Sequence, residues 1–266
     1  MPKFAANLTM LFNELGFLDR FEAAARAGFK GVEYLFPYDF PPDALAAKLS
    51  AHGLTQVLHN LPAGDWGAGE RGIAILPDRR QEFRDGVARA ITYARTLGCG
   101  QVNCLAGIAP AGADPALLRR TFVENLKFAA DALGAEGIRL LIEPINTRDI
   151  PGFFLTRTAE ALSIIDETGS DNVFLQYDIY HMQIMEGDLA RTIEQNLGRI
   201  RHIQLADNPG RHEPGTGEIN YPFLFRHIDA LGYDGWIGCE YKPERSTEDG
   251  LDWLRRAATD NADVAA

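Results

Sequence analysis

The chain has 266 residues, 46% of them hydrophobic, which is enough to build one large core. Its 37 Asp and Glu residues against 26 Lys and Arg residues give a formal net charge of -11, and an acidic chain of this kind disfavours binding to nucleic-acid phosphates. The sequence contains no apolar stretch of membrane-spanning length, no apolar secretion signal at its start and no CxxC pairing among its three cysteines. We therefore expect a cytoplasmic protein that binds neither nucleic acid nor membranes and has no disulfide framework or thiolate zinc site.

Strand-like and helix-like segments alternate along the chain. In the first half, strands are predicted at residues 3–10, 31–36, 55–60 and 101–106, and helices at residues 17–28, 41–53, 78–98 and 114–137. In the second half, strands ending near residues 143, 178, 204 and 240 alternate with helices at residues 156–169, about 187–198, 221–232 and 247–258. The helix boundaries rest on local signals, such as Pro115 after Asp114 at a helix start and Gly53 at a helix end.

Eight strand-helix units of this kind favour one fold over its alternatives. With right-handed crossovers, eight units in about 250 residues indicate a closed (β/α)8 barrel and not a doubly wound sheet. The sequence shows no internal repeat, low-complexity tract or linker that would mark a domain boundary. The predicted fold class is therefore α/β, with a single (β/α)8 TIM barrel domain over residues 1–266.

A long glycine-rich connection, residues 61–77, interrupts the regular alternation. Connections of this length are usually functional lids or disordered linkers. The presence of Trp66 and Arg71 favours a lid, and Arg71 would then contact a bound substrate.

Four strands of the second half end in a side chain that carries oxygen. These side chains are Glu143 after RLLI, Asp178 at the end of VFLQYD, Gln204 in IRHIQL and Glu240 after GWIGC. Because the carboxyl ends of parallel barrel strands meet at one mouth, we expect the four to converge. One such acid alone is most often a solvated strand terminus, but four at successive strand ends favour a shared site.

The composition of this set predicts a metal centre. Three carboxylates in one site would raise one another's pKa unless a cation neutralised them. Glu143, Asp178 and Glu240, with the amide oxygen of Gln204, therefore predict a hard divalent metal, Mg²⁺ or Mn²⁺. The absence of a nitrogen ligand from the set disfavours zinc. Such a site suits proton transfer next to a carbonyl, and we expect Glu143 and Glu240 to be the catalytic acid-base pair.

Three carboxylates and a divalent cation leave one net negative charge, so an anionic substrate needs added positive charge. Candidates for substrate binding are Arg71, His181, Arg211 and Lys242, together with His59 at the end of the third strand. The alternative for each is an ordinary surface or core residue, and His202 is expected in the core beneath Gln204. We expect a small anionic hydroxy or oxo acid as the partner, and assembly into a homo-oligomer is compatible with the sequence.

Five segments resemble the hydroxypyruvate isomerases, a family of the xylose-isomerase-like barrel superfamily. They are IEPIN, QYDIYHMQIMEGDL, HIQLADNPGRHEPGTGEINY, GWIGCEYKP and LHNLPAGDWGAGERG, on separate predicted strands in the family's order. The resemblance implies reversible interconversion of hydroxypyruvate and tartronate semialdehyde (2-hydroxy-3-oxopropanoate), in the setting of glyoxylate metabolism. It also implies that Glu143, Asp178, Gln204 and Glu240 are the metal ligands, with Glu143 and Glu240 as the acid-base pair.

Other members of the superfamily provide alternatives. 2-Oxo-tetronate isomerase, whose substrate is one carbon longer, shares segments like PGTGEINYP and GWIGCEYKP, whereas LHNLPAGDWGAGERG and IEPINTRDIPGF favour hydroxypyruvate isomerase. Sugar epimerases typically have a histidine at the position of Gln204, and apurinic endonucleases collect several zinc ions with many histidines, of which this chain has 6. A protein that bound a sugar acid without converting it would need only one chelating face, so the presence of both Glu143 and Glu240 favours an enzyme.

Overall fold

Eight parallel strands close into a barrel in chain order, in a computed structural model that describes residues 2–260 and the side chains of residues 2–257. Each strand pairs in parallel with the next, and the eighth pairs with the first. The predicted (β/α)8 barrel is confirmed. The strands are β1 (Lys3–Asn7), β2 (Gly31–Glu33), β3 (Thr55–Asn60), β4 (Gln101–Cys104), β5 (Arg139–Ile142), β6 (Val173–Asp178), β7 (Ile200–Leu205) and β8 (Trp236–Cys239).

Nine α-helices are present within residues 2–260. Several begin or end at the predicted signals: Asp114 Oδ1 accepts a hydrogen bond from the Ala116 amide at the start of α4, and Gly53 ends α2 in the left-handed region. The helices are α1 (Arg20–Arg26), α2 (Pro42–His52), α3 (Arg80–Leu97), α4 (Pro115–Gly134), α5 (Thr158–Thr168), α6 (Ile179–Met185), α7 (Leu189–Asn196), α8 (Tyr221–Ala230) and α9 (Asp252–Asp260).

Helix α6 was not predicted from the sequence, and it matters for the site. It follows β6 without a connecting loop, because the last strand residue, Asp178, is also the helix cap. Asp178 Oδ1 accepts hydrogen bonds from the amides of Tyr180 at 2.8 Å and His181 at 3.4 Å. The first turn of α6 therefore lies at the carboxyl end of the barrel and holds His181 beside the strand ends.

The barrel contains a small apolar cluster and, nearer the carboxyl end of the strands, a layer of buried polar side chains. Ala5 and Leu141 belong to a small apolar cluster, and they share strand parity with Asn7 and Glu143 nearer the carboxyl end. Buried polar side chains lie nearer the carboxyl ends of the strands. They are Asn7, Glu33, Asn60, Asn103, Gln176, His202 and Gln204. Buried polar groups require partners, so this layer is organised by hydrogen bonds and not by packing alone.

The connection at residues 61–77 is attached to the barrel by backbone hydrogen bonds. The Leu61 amide donates to the Asn103 carbonyl at 2.8 Å, and the Ile75 amide donates to the Ala106 carbonyl at 3.2 Å. Gly72, at φ 120°, passes so close to the next loop that a Cβ there would lie 2.4 Å from the Leu105 carbonyl oxygen. The segment is thus fixed in place above β4, with Trp66 directed to the barrel mouth.

No helix within the described residues combines the length and apolar character needed to cross a bilayer. Cys99, Cys104 and Cys239 are free thiols and are buried. Burial raises the pKa of the Cys99 thiol to about 12 and also raises the pKa values of Cys104 and Cys239, so all three thiols remain neutral core groups at neutral pH.

Candidate active site

A cavity of about 90 Å³ opens at the carboxyl end of the barrel strands. A larger depression of about 630 Å³ lies at the opposite, amino end, but none of the strand-end carboxylates reaches it. The catalytic ends of parallel barrels are their carboxyl ends, so the smaller cavity is the candidate active site. The polar side chains that line it are Asn7, Glu33, Asn60, Glu143, Gln176, His181, Gln204, Arg211 and Glu240.

Four buried side chains could hold a metal ion. Glu143, Asp178, His181 and Glu240 each bring one ligand-type atom to within 4.8 Å of the others. Glu143 and Glu240 follow the last residues of β5 and β8, Asp178 ends β6, and His181 comes from α6. The three acids predicted from the sequence to converge thus lie together, and His181 joins them as a nitrogen-bearing neighbour.

Burial and mutual repulsion change the acidity of these carboxyls. Burial raises the pKa of Glu143 well above its ordinary value, and the charges of Glu240 and Asp178 raise it further. Burial also raises the pKa of Asp178 to about 6 and that of Glu240 to about 8, while the charge of Arg211 opposes both shifts. A bound cation would lower all three pKa values, so the donor set fits a cation.

Asp178 carries the clearest sign of a missing partner. Its Oδ1 caps α6, whereas its Oδ2 is buried and has no hydrogen-bond partner among the described residues. An orphaned carboxylate oxygen in a dry site is costly unless a cation or a donor meets it. This atom therefore supports the interpretation that the cluster could hold a metal ion.

Gln204 lines the same cavity and is held from both sides. Its Nε2 donates to Glu33 Oε1 at 2.7 Å, and its Oε1 accepts from Gln176 Nε2 at 2.6 Å. The second lone pair of Oε1 remains for another partner. Glu33 also contacts His202 Nε2 at 2.6 Å, so His202 is a buried core residue beneath the site, as predicted.

Glu33, Asn7 and Asn103 were not singled out from the sequence, although each lies at or near the end of a barrel strand. Asn7 Nδ2 donates to Glu33 Oε1 at 3.0 Å and to Glu240 Oε1 at 3.1 Å. Asn103 Nδ2 donates to Glu143 Oε2 at 3.0 Å. The signal that could have identified them is the one used for the four later strands, a polar side chain at the end of an apolar run.

Arg211 reaches the site from the loop after β7. Its Nη2 donates to Glu240 Oε2 at 2.6 Å, and its Nη1 donates to Asp149 Oδ2 at 3.2 Å. The guanidinium lies over the Tyr180 ring, 5.1 Å from the centroid, and its Nε is buried without a hydrogen-bond partner among the described residues. Arg211 therefore brings positive charge and an unused donor to the mouth of the barrel, where the sequence predicted it.

Two residues predicted to contact the substrate, His59 and Lys242, do not line this cavity. His59 is fully buried, and its ring lies 6.2 Å from that of Tyr38, away from the cavity that its strand neighbours Leu58 and Asn60 line. Successive side chains of a strand point to opposite faces, so His59 points away from the face that Leu58 and Asn60 share. Lys242 is exposed and does not line the cavity, because the chain has left the barrel by this point. Its backbone amide instead donates to the Arg211 carbonyl at 2.8 Å.

Arg71 contacts the cavity wall and does not line the cavity itself. Its guanidinium stacks over the Trp66 ring, 4.1 Å from the centroid, and Nη1 donates to the carbonyls of Trp66 at 3.1 Å and Glu70 at 2.7 Å. Trp66 also packs against Phe36, with 5.0 Å between the two ring centroids. Arg71, predicted to contact the substrate, therefore supports Trp66 in the cavity wall.

His181 lies in the cavity wall, where it was predicted as a substrate-binding residue. Its Nε2 is 3.6 Å from Asp178 Oδ2 and 3.9 Å from Glu143 Oε1, and its Nδ1 is 2.6 Å from Asn146 Nδ2. Burial, with the charge of Arg211, lowers the pKa of the imidazole well below its ordinary value. The ring is thus neutral at physiological pH.

The chain is similar to curated isomerases over almost its full length. It is 58% identical to hydroxypyruvate isomerase from Escherichia coli strain K12, covering 96% of this chain and 98% of that one. It is 53% identical to 2-oxo-tetronate isomerase from Cupriavidus necator, again covering 96% and 98%. These two names differ in the length of the substrate and agree in the class of reaction.

Solved structures give the same fold. A Brucella melitensis protein described as a family 2 AP endonuclease superposes with a TM-score of 0.94 at 51% identity, covering 96% of this chain and 99% of that one. An Escherichia coli 3-keto-D-glucoside 4-epimerase superposes with a TM-score of 0.79 at 20% identity, covering 96% and 99%, which shows the shared fold alone. The model of the xylose isomerase-like TIM barrel family matches residues 21–257. From that match and the identity to the curated relatives, the chain belongs to the xylose isomerase-like TIM barrel family.

Proposed function

We propose that the chain is a hydroxypyruvate isomerase, which interconverts hydroxypyruvate and 2-hydroxy-3-oxopropanoate by proton transfer through an enediolate. The observation that carries this proposal is the pair of buried glutamates, Glu143 and Glu240, whose carboxyl oxygens lie within 4.8 Å of each other in the cavity. The 58% identity to the Escherichia coli enzyme supports the choice of reaction.

The reaction requires one proton to leave one carbon and another to reach its neighbour. One glutamate of the pair removes a proton from C3 of hydroxypyruvate, and the C–H electrons form the C2=C3 bond of the enediolate as the C2=O2 π electrons move onto O2. The other glutamate delivers a proton to C2, where the C2=C3 π electrons form the new C–H bond. The hydroxyl proton on O3 passes to O2, and the O3–H electrons form the C3=O3 double bond of the aldehyde. Burial raises the pKa of both carboxyls above the ordinary value, which favours uptake of a proton by a glutamate that acts as a base.

The other polar side chains hold the pair and the substrate. Asn103 donates to Glu143 Oε2 and leaves Oε1 to face the reacting carbons. Glu240 is held at both oxygens, at Oε1 by Asn7 and at Oε2 by Arg211. Arg211 would bind the substrate carboxylate with its unused Nε, because the protein otherwise presents an acidic cavity to an anion. Trp66 and Ile150 lie on the cavity wall and exclude water from it.

We place a divalent cation, Mg²⁺ or Mn²⁺, on Glu143, Asp178, Gln204 and Glu240. When bound, it would polarise the substrate carbonyl and stabilise negative charge on the substrate oxygens. The all-oxygen donor set and the orphaned Asp178 Oδ2 support a hard cation.

2-Oxo-tetronate isomerisation is the second candidate, because a curated enzyme of that name is 53% identical to this chain. The same glutamate pair would serve both substrates. The deciding experiment measures turnover of hydroxypyruvate and of a four-carbon 2-oxo acid by metal-stripped protein, with and without added Mg²⁺ or Mn²⁺. We expect cation-dependent turnover, faster with hydroxypyruvate. Faster turnover of the longer acid would assign the tetronate reaction. No turnover of either acid, with cleavage of abasic DNA or binding of a sugar acid alone, would contradict the proposal.

A further inference from the structure

Asn146 is held in one orientation by the backbone. It lies three residues after Glu143 and is fully buried. Its Oδ1 accepts hydrogen bonds from the amides of Arg148 at 2.9 Å and Asp149 at 2.8 Å. Rotating the side-chain amide by 180° would place its NH2 group against two N–H donors and remove both bonds. The oxygen of Asn146 therefore faces the backbone, and its nitrogen faces His181.

This orientation determines where the proton of His181 resides. Asn146 Nδ2 is a donor only, and it lies 2.6 Å from His181 Nδ1. Nδ1 must therefore accept, and in the neutral ring the proton is on Nε2. The opposite tautomer would place two donors face to face in a buried site, at the cost of a lost hydrogen bond.

The Nε2–H group is directed to the reacting centre and is not fully committed to a protein acceptor. Its nearest carboxylate oxygens, Asp178 Oδ2 and Glu143 Oε1, are 3.6 Å and 3.9 Å away, beyond the usual hydrogen-bond distance. A protonated nitrogen cannot ligate a metal, since the metal needs its lone pair. His181 is therefore suited to donate a hydrogen bond into the cavity and not to serve as a metal ligand, although it lies in the same cluster.

We propose that Asn146 is a positioning residue that holds His181 in the Nε2–H tautomer. In this tautomer Nε2–H donates a hydrogen bond to a substrate oxygen, and Nε2 has no lone pair with which to bind the metal. This inference rests on the proposed function for the identity of the substrate oxygen, whereas the tautomer itself follows from the contacts. The same Asn146 oxygen also orders the backbone of Asp149, whose carboxylate pairs with Arg211 Nη1 at 3.2 Å. One amide thus organises both of the donors that face an anionic substrate.

The test uses ¹⁵N NMR of the histidine rings in metal-free protein at neutral pH, with His181→Ala identifying the His181 signals among the 6 histidines. We expect Nδ1 to be unprotonated and Nε2 to be protonated in the wild type. In Asn146→Asp the new carboxylate accepts from the backbone and from the ring, so the proton should move from Nε2 to Nδ1. A wild type protonated at Nδ1, or an Asn146→Asp variant still protonated at Nε2, would overturn the proposal. The wild-type spectrum alone shows which ring nitrogen of His181 carries the proton, even if the Asn146→Asp variant does not fold.

Steady-state kinetics with added cation then test the role of the tautomer. Asn146→Asp should lower kcat by about 10- to 100-fold, the usual scale for residues that orient a functional histidine, with a smaller change in KM. In the His181→Ala background the same substitution should have no further effect, because it acts through His181. Asn196→Asp, on α7, is the control for an added carboxylate and should leave kcat unchanged. An equal loss of kcat from Asn146→Asp with and without His181 would contradict the proposal that Asn146 acts through His181. Absence of turnover in the wild type would refute the proposed function and leave the tautomer measurement valid.

Discussion

Arg211 and Glu240 form an ion pair at the mouth of the barrel, with 2.6 Å between Nη2 and Oε2. Both side chains are largely buried, and the pair joins the loop after β7 to the end of β8. The guanidinium stabilises the charged form of Glu240, and it opposes the upward pKa shift that burial causes. The residue proposed to bind the substrate carboxylate therefore also adjusts the acidity of a catalytic glutamate.

Replacing Arg211 by Gln should affect binding and acidity together. We expect kcat/KM for hydroxypyruvate to fall by about 10- to 100-fold, the range for one lost charge-assisted hydrogen bond. Because Arg211 holds the pKa of Glu240 down, the acidic limb of the pH-rate profile should also move to higher pH. Arg211→Lys, which keeps the charge, should lose affinity with less displacement of that limb. A profile that does not move in Arg211→Gln would contradict the coupling.

The three carboxyls should make the metal-free protein less stable as pH rises. Their pKa values in the folded state lie above the ordinary values, 3.8 for Asp178 and 4.5 for Glu240, and reach about 6 and about 8. A raised carboxyl pKa gives stability that is fully present below the unfolded pKa and is lost as pH rises through the folded pKa. The loss should therefore extend from about pH 4 to about pH 8, and added Mg²⁺ or Mn²⁺ should reverse it.

This pH dependence is measured by urea unfolding of metal-free wild type and Glu143→Gln. As pH increases, the free energy of unfolding of Glu143→Gln should rise relative to that of the wild type, since the variant has no carboxyl to ionise at this position. Glu194→Gln, an exposed change on α7, is the control and should follow the wild type throughout. A constant difference between Glu143→Gln and wild type across this range would show that Glu143 does not carry a raised pKa.

Gly238 provides the space that Glu33 occupies. A Cβ at position 238 would lie 2.3 Å from both carboxylate oxygens of Glu33. Gly238→Ala should therefore displace Glu33 from Gln204 and Asn7 and weaken metal affinity by about 10- to 100-fold. Calorimetric titration of metal-stripped protein with Mn²⁺ measures this. Gly100→Ala, with no atom within 4 Å of the added Cβ, is the control, and equal affinities in the two variants would exclude a supporting role for Glu33.

Trp66 should limit the length of the substrate. It lines a cavity of about 90 Å³ and is held in place by the Arg71 guanidinium. Trp66→Ala should enlarge this space, so the ratio of kcat/KM for the four-carbon acid to that for hydroxypyruvate should rise by about 10-fold. Phe223→Ala removes an aromatic side chain that is 45% exposed on α8, and it should leave the ratio unchanged. A ratio unaffected by Trp66→Ala would place the limit on chain length elsewhere.

The sequence predicted those parts of the site that depend on strand ends. Glu143, Asp178, Gln204 and Glu240 could be found because each lies at or next to the end of a strand, and parallel strands bring such ends together. Glu33 ends a strand of only three residues and therefore gave a weaker signal, whereas Asn7 ends β1 and could have been found by the same rule. His59 was predicted to face the cavity because β3 is buried on both faces, and its sequence TQVLHN does not reveal which side faces the barrel interior. Helix α6 and the contact between Asn146 and His181 depend on side-chain hydrogen bonds that no periodic pattern reports.

If Glu143 and Glu240 transfer the proton, isomerisation in D2O should carry solvent deuterium into the product. With cation-loaded wild type, ¹H NMR should show deuterium entering the new C–H bond of 2-hydroxy-3-oxopropanoate as hydroxypyruvate is consumed. Glu143→Gln and Glu240→Gln should each reduce both turnover and deuterium incorporation by about 10²-fold or more, whereas Glu194→Gln should match the wild type. Wild-type rates of turnover and exchange in either active-site variant would contradict the two-glutamate mechanism.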